Sequence, residues 1–207
     1  AQLASALPDI KVVGLDYSPE GFVSFDELLA AGSGDGRNPH TDTSNPLLLV
    51  YTSGTTGRPK GAVLRQEALV WNAVMSLHAH DMRSDDHILN ALPMFHVGGL
   101  NIQTTPALQA GAMVTIHPRF SPDVMLRAIG EERPTLAVMV PAVMQALIQH
   151  PLWDRTDLSG IRAVATGSSL IPVPLIEAFN ARGIPVIQIY GSTETGPTAV
   201  YTRVGGD

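Results

Sequence analysis

Between Tyr51 and Ala62 the chain reads YTSGTTGRPKGA, a run that combines three glycines, four Ser or Thr hydroxyls and the two cations Arg58 and Lys60. Glycines permit close backbone approach and left-handed dihedrals. Successive N–H groups can then form an anion-binding concavity, and hydroxyls with a lysine add donors and charge. This is a chemistry for gripping phosphates. A flexible linker also uses Gly and Ser freely, but it has little reason to begin directly after the apolar run Leu47, Leu48, Leu49, Val50 or to fix Arg58, Pro59 and Lys60 behind it.

The stretch is not the phosphate loop of the common ATPases, which needs Gly-x-x-x-x-Gly-Lys followed by Ser or Thr. Here Pro59 precedes Lys60 and Gly61 follows it. Two further polar clusters stand directly behind strand-like runs. One is Gly167, Ser168 and Ser169 within ATGSSLIP, and the other is Gly191, Ser192, Thr193 and Glu194 within YGSTETG. Mg²⁺ takes one or two carboxylates, several waters and substrate phosphates, so the lone Glu194 suffices as a protein ligand. Plainer roles suit the same residue types: Glu194 as a helix cap or surface ion pair, Tyr190 as a core aromatic, Gly167 to Ser169 as an ordinary turn, and His96 of LPMFHVGGL as a buried, hydrogen-bonded histidine. The histidines His78, His80 and His87 do not read as a metal site, because two residues apart on a predicted helix point to different faces.

Strands and helices alternate behind these clusters. A helical pattern over Gln66–His80 is followed by strand-like HILNAL, a helical stretch over Gly98–Ala110 and strand-like AMVTIH. Ser121 or Asp123 could cap the next helix through Ile129, and TLAVMV follows. Pro141 opens another helix, IRAVAT is the next strand, Pro172 or Pro174 begins a helix to Arg182, and PVIQIY closes the series. The expected fold class is α/β, a largely parallel sheet with helices on both faces. In such sheets ligands collect beyond the carboxyl ends of the strands, so the three clusters are expected to form one composite site. Residues 1–45 read as a leading segment and solvated connector, and 46–207 as the nucleotide-binding core.

Composition narrows the function classes. With 44% hydrophobic residues, 207 residues can bury a sizeable core. Thirteen Lys plus Arg against 19 Asp plus Glu leave a formal charge of −6, which argues against a broad basic surface for nucleic acid. Cysteine is lacking, so thiolate nucleophiles, disulfides and zinc–thiolate sites are excluded, and a cytoplasmic location fits that composition. The most apolar window, Thr135 to Ile148, is too short for a transmembrane segment and contains Pro141.

The stretch Ser53-Gly54-Thr55-Thr56-Gly57-Arg58-Pro59-Lys60-Gly61 resembles the phosphate-binding loop of the adenylate-forming superfamily, most closely as it occurs in acyl- and aryl-CoA synthetases. YGSTETG resembles the second nucleotide motif of the same family. By that resemblance Thr52, Ser53, Gly54, Thr55, Thr56, Gly57 and Lys60 belong to the β- and γ-phosphate loop, Thr193 touches the α-phosphate, Glu194 holds Mg²⁺, and Tyr190, Gly191 and Ser192 lie along the nucleotide. Gly167, Ser168 and Ser169 would line the adenine and acyl pocket, although Ser168 and Ser169 stand where Gly and Ala are common. LPMFHVGGL resembles a stretch whose His, here His96, borders the carboxylate and thiol path.

The resemblance implies an acid–thiol ligase that uses ATP, Mg²⁺ and CoA to activate a small-molecule carboxylic acid, fatty or aryl. Members that activate amino acids carry an Asp just after the His-containing stretch, whereas Val97, Gly98 and Gly99 offer no acid. An unpaired ammonium in an apolar pocket is costly, so an uncharged acid is expected. The alternatives are an adenylation module of a peptide synthetase, or a nucleotide-binding module without CoA ligase activity. The resemblance further implies that this chain is the middle of an adenylation domain, without the mobile C-terminal domain that carries a catalytic lysine, and that the chain alone is inactive.

Overall fold

The computed structural model describes residues 12–15, 21–34, 36, 39–54 and 57–206. Its contacts divide after Thr41 into a small leading unit and a larger one that starts at Asp42. In the leading unit β1 (Val13–Gly14) and β2 (Val23–Ser24) pair in parallel, and a helix spans Phe25–Ala31. Asp26 and Glu27 sit in the first turn of that helix, where carboxylates complement its unsatisfied N–H groups.

The larger unit begins with a hairpin, β3 (Pro46–Thr52) paired antiparallel with β4 (Lys60–Arg65). This differs from the sequence expectation in two ways. KGAVLR is a strand, and the strand that leads into the glycine-rich turn is not part of the parallel sheet. Two left-handed glycines, Gly54 at φ +62 and Gly57 at φ +76, turn the chain back so that Lys60 lies across from Thr52.

The main sheet has six strands in the order β10-β9-β8-β7-β5-β6. They are β5 (His87–Asn90), β6 (Met113–Ile116), β7 (Leu136–Met139), β8 (Ala163–Gly167), β9 (Val186–Tyr190) and the edge strand β10 (Val200–Tyr201). All pairings are parallel except that of β10 with β9. In β7 every residue is buried, which requires apolar side chains on both faces. Ala137 and Met139 join Leu89 and Val164 on one face, against the helices Pro122–Glu132, Pro141–Ile148 and Val173–Asn180. Leu136 and Val138 point the other way, toward residues that include Leu77, Ile102 and Ala107. Among the described residues no helix is long and apolar enough to cross a membrane.

The helix expected over Gly98–Ala110 is interrupted. It runs as a helical turn Val97–Gly99, a π-turn Leu100–Thr104 and a helix Thr105–Ala110. Pro106 supplies the cause, because it has no N–H to give to the carbonyl four residues back. The N–H of Thr105 goes to Leu100 O. The carbonyls of Asn101 and Ile102 thereby lose their ordinary helical donors, and a buried carbonyl must find another.

The facing helix, Gln66–His80, supplies both. Asn72 Nδ2 donates to Asn101 O at 2.7 Å, and Ser76 Oγ donates to Ile102 O. Asn72, Ser76 and His80 recur every four residues and so form one polar stripe, fully buried. His80 Nδ1 lies 2.7 Å from Ser76 O, which fixes the proton on Nδ1 and leaves Nε2 buried without a hydrogen-bond partner. At the amino edge of the sheet Arg162 donates to His80 O at 2.9 Å, to Asp81 O at 3.1 Å and to buried Asp86 at 2.8 Å.

Burial, aided by the nearby Arg162 cation and outweighing the Ser76 carbonyl and the Asp86 carboxylate, pushes His80 down from 6.5 to about 4. The unfolded chain therefore binds a proton that the folded chain refuses between these values, so stability is full above pH 6.5 and falls as pH drops toward 4. The loss from this group is about 3 kcal/mol. Urea unfolding of the chain at pH 7, 6, 5 and 4.5 is expected to show that decline, and His80→Gln is expected to flatten it. An equal slope in both proteins would remove His80 as its source.

Candidate active site

Because β5, β7, β8 and β9 run parallel, the segments that follow them emerge at one edge of the sheet. Residues behind β5, β8 and β9 carry His96, Ser168 and Glu194 respectively. β4 packs beside the 3₁₀ turn Thr193–Thr195, so the hairpin with the first glycine motif reaches the same edge from outside the sheet. The result is a cleft of about 340 Å³. Thr52, His96, Ser168, Gly191, Ser192, Thr193 and Glu194 line it, together with Val97, Gly98, Ile102, Ile189 and Pro197.

A second, wider cleft of about 680 Å³ lies across β8 and β9. Gly167, Ser169 and Tyr190 line it, with Leu170, Gln188 and Tyr201. Ser168, Ile189 and Gly191 line both clefts. A ligand with one part in each would pass over those three residues. Of the remaining sequence-predicted positions, Ser53, Gly57 and Lys60 are exposed around the hairpin turn and Gly54 is half-buried, while Thr55 and Thr56 lie outside the described residues.

The glycines at this edge are held by space as well as by dihedral angle. A Cβ on Gly54 would stand 2.5 Å from Arg58 O. On Gly167 it would overlap Ile189 O, and on Gly191 it would overlap Pro197 O. Ser168, by contrast, is a non-glycine residue at φ +71, a left-handed conformation that costs an L-residue roughly 1–2 kcal/mol. The backbone there is one that glycine adopts freely, and the serine is accommodated with strain.

Asn90 anchors the loop that carries His96. Its Nδ2 donates to Gly99 O at 2.8 Å and to Thr104 Oγ1 at 2.9 Å, and its Oδ1 accepts the Leu92 N–H at 2.8 Å. His96 itself is exposed at the cleft. Sequence patterning does not single out Asn90, Asn72, Asn101, Ile102, Ile189 or Pro197. A lone buried Asn has no periodic signature, and a cleft-lining Ile looks the same in a sequence as a core Ile.

Glu194 is exposed in the second motif. Its own backbone N–H and the Ser192 hydroxyl hold its carboxyl below the usual carboxylate range, so it is ionised at neutral pH. Ser192 N–H in turn donates to Thr195 Oγ1 at 2.8 Å, which fixes the turn. No cluster of three or more His, Asp or Glu that could cage a metal exists among the described residues. A single ionised carboxylate lining a cleft that Thr52 also lines fits Mg²⁺ shared with phosphate oxygens and water, and does not fit an all-protein site.

The family profile for AMP-binding enzyme matches residues 2–207. The chain belongs to that family. It is 52% identical over 200 residues to the indoleacetate–CoA ligase of Aromatoleum aromaticum, which covers 96% of this chain and 39% of that protein. It is 42% identical over 150 residues to a feruloyl-CoA synthase of an Amycolatopsis species, covering 72% of this chain and 30% of that protein. Among solved structures, the inhibitor-bound N-terminal domain of FACL13 from Mycobacterium tuberculosis matches with a TM-score of 0.82 and 28% identity, over 99% of this chain and 52% of that one. The chain thus spans less than half the length of the two relatives named. The parallel sheet with helices on both faces is the fold that this membership implies.

The packing around Gly191 yields a direct test. Gly191→Ala must push the Gly191–Pro197 loop away from the cleft, so Mg·ATP affinity of the full-length protein, measured by calorimetric titration, is expected to fall at least tenfold. Gly130→Ala serves as the control, since a Cβ there meets only Thr156 Cγ2 at 3.6 Å. It is expected to leave affinity unchanged and to add roughly 0.5–1 kcal/mol of helix stability. Unchanged affinity in Gly191→Ala would separate this loop from nucleotide binding.

Proposed function

We propose that the protein containing this chain activates an uncharged aryl carboxylic acid with ATP and passes the acyl group to CoA. The observation that carries this reading is the mixed lining of the 340 Å³ cleft, which combines hydroxyls and the Glu194 carboxylate with the apolar Val97, Ile102, Ile189 and Pro197. A volume of this size suits a small ligand held by few polar groups. Among the described lining residues the single acid is Glu194, here assigned to Mg²⁺, which speaks against an amino acid substrate, whose ammonium would stand unpaired. The names of the two relatives, one for indoleacetate and one for ferulate, favour an aryl over a fatty acid.

The chemistry asks mainly for positioning and charge support. A carboxylate oxygen of the acid attacks the α-phosphorus, the bond to the bridging oxygen breaks, and pyrophosphate leaves with the electron pair. The CoA sulfur then attacks the carbonyl carbon of the acyl-adenylate, and AMP departs. Negative charge grows on phosphate oxygens in the first step, where donors already aimed at them lower the barrier most. Thr52, Ser53, Gly54, Thr55, Thr56, Gly57 and Lys60 are assigned to the β- and γ-phosphates, and Thr193 to the α-phosphate. Mg²⁺, held by Glu194, would neutralise charge between the phosphates. Gly167, Ser168, Ser169, Tyr190, Gly191 and Ser192 would take the nucleoside in the wider cleft, and His96 would border the acid's carboxylate.

Two outcomes are expected. In a panel of acids run on the full-length protein with ATP, pyrophosphate release should be fastest with uncharged aryl acids. Gly98→Leu, at a position where a Cβ meets nothing within 4 Å, should reject the bulkier ones while the fold is kept. Preference for an amino acid would support the peptide-synthetase alternative, and preference for a straight-chain fatty acid would overturn the aryl assignment. Separately, Lys60→Ala should lower kcat/KM for ATP on the order of tenfold to a hundredfold, as expected for one lost charged hydrogen bond. Glu194→Gln should raise the Mg²⁺ concentration needed for half-maximal rate. Unchanged ATP and Mg²⁺ dependence in both variants would sink the phosphate-side assignment.

A further inference from the structure

The far end of the loop from Gly191 to Pro197 is bonded into the buried helix layer. Asn101 Nδ2 donates to Gly196 O at 2.9 Å, and Asn72 Oδ1 accepts the Thr198 N–H at 3.0 Å. The two asparagines are themselves joined, since Asn72 Nδ2 donates to Asn101 O at 2.7 Å. Asn101 Oδ1 accepts from Thr105 Oγ1 at 3.3 Å. Both side chains are fully buried. Each therefore uses its donor end and its acceptor end at once, which neither Asp nor Leu can do in the same space.

We propose that Asn72 and Asn101 form a clamp that positions the Gly191–Pro197 loop, and with it Thr193 and Glu194, for Mg·ATP. They touch neither cleft and are positioning residues. The clamp draws on three parts of the fold. Asn72 lies on the helix that continues from β4 and hence from the hairpin. Asn101 lies in the π-turn one residue before Ile102 of the cleft lining, and its carbonyl is free for Asn72 because Pro106 interrupts the helical pattern. Gly196 and Thr198 flank the exit of the nucleotide loop. At Gly196, with φ +103, a Cβ would stand 3.3 Å from Asn72 Cβ, so the loop is seated directly on the clamp. A buried amide bond of this kind holds its partners in one arrangement, because breaking it leaves a donor and an acceptor unpaired away from water.

The inference rests on the reading of this loop as the nucleotide-binding element, and the experiment separates the two. Equilibrium Mg·ATP binding by the full-length protein is measured by calorimetry for Asn101→Leu, Asn72→Ala, the double variant and Glu194→Gln, each with a thermal melt. Arg162→Ala, which strips the partner from buried Asp86 at the opposite edge of the sheet, supplies a destabilised control. Each asparagine variant is expected to raise the Kd for Mg·ATP at least fivefold at temperatures well below its melt. The double variant should lose little more than the worse single one, since both act on the same loop. Arg162→Ala should melt earlier with its Kd within twofold of the parent. The clamp is overturned if folded Asn101→Leu binds Mg·ATP within twofold of the parent, if the two losses multiply, or if Arg162→Ala loses affinity equally. If Glu194→Gln weakens binding while the asparagine variants do not, the nucleotide loop stands and the clamp falls. If neither does, both fall.

Discussion

A proline that cannot donate a hydrogen bond organises much of the buried polar structure in this chain. Pro106 sits near the start of a helix whose preceding turn widens to a π-turn, and two carbonyls, those of Asn101 and Ile102, are left to find donors outside their own helix. Buried carbonyls without partners are costly. The helix Gln66–His80 meets the need with Asn72 and Ser76, one turn apart on the face that would otherwise be apolar. Those bonds fix the rotation of one helix against the other. They also set the depth at which Ile102 enters the cleft, because Ile102 and the carbonyl that Ser76 holds belong to the same residue.

The site is assembled from two structural sources with different geometry. The parallel sheet delivers the His96, Ser168 and Glu194 segments to one edge, since strands of the same direction all end there. The β3–β4 hairpin is antiparallel and separate from that sheet, and reaches the edge by packing β4 beside the Thr193–Thr195 turn. The β3–β4 ladder fixes both ends of the glycine-rich segment, with Thr52 paired to Lys60. The glycines at the edge allow close approach, with Gly167 against Ile189 and Gly191 against Pro197.

Polar groups at the two edges of the sheet have contrasting environments. At the amino edge Arg162, Asp86 and the His80 carbonyl are bound to one another in a largely buried network that holds strands and helix together. At the carboxyl edge Glu194 is exposed, ionised and supported by a hydroxyl and a backbone N–H. A group already satisfied by the protein has little left for a ligand, whereas an exposed carboxylate on a fixed turn retains its capacity. That difference gives the amino edge a structural role and leaves Glu194 at the carboxyl edge available to a ligand.

Much of this was legible in residue order alone. The alternation of short apolar runs with helical stretches determines an α/β fold, because LAVM in β7 can be buried on both faces only between two helix layers. The glycine, hydroxyl and lysine pattern from Ser53 to Gly61 and the YGSTETG stretch mark the segments proposed to face phosphate, since their residue types are local chemistry that does not depend on neighbours far along the chain. What the sequence could not express is which distant segments meet. The pairing of KGAVLR with PLLLVYT as a hairpin outside the main sheet, the interruption of the helix at Leu100–Thr104, and the bonds from Asn72 and Asn101 to residues near 196 are decided by long-range packing. An asparagine is read as a turn or surface residue until the fold brings a carbonyl to its NH2 end and an N–H or hydroxyl to its oxygen. Only the tertiary structure does that, because hydrogen bonds between residues 95 or 126 positions apart leave no periodic trace along the chain.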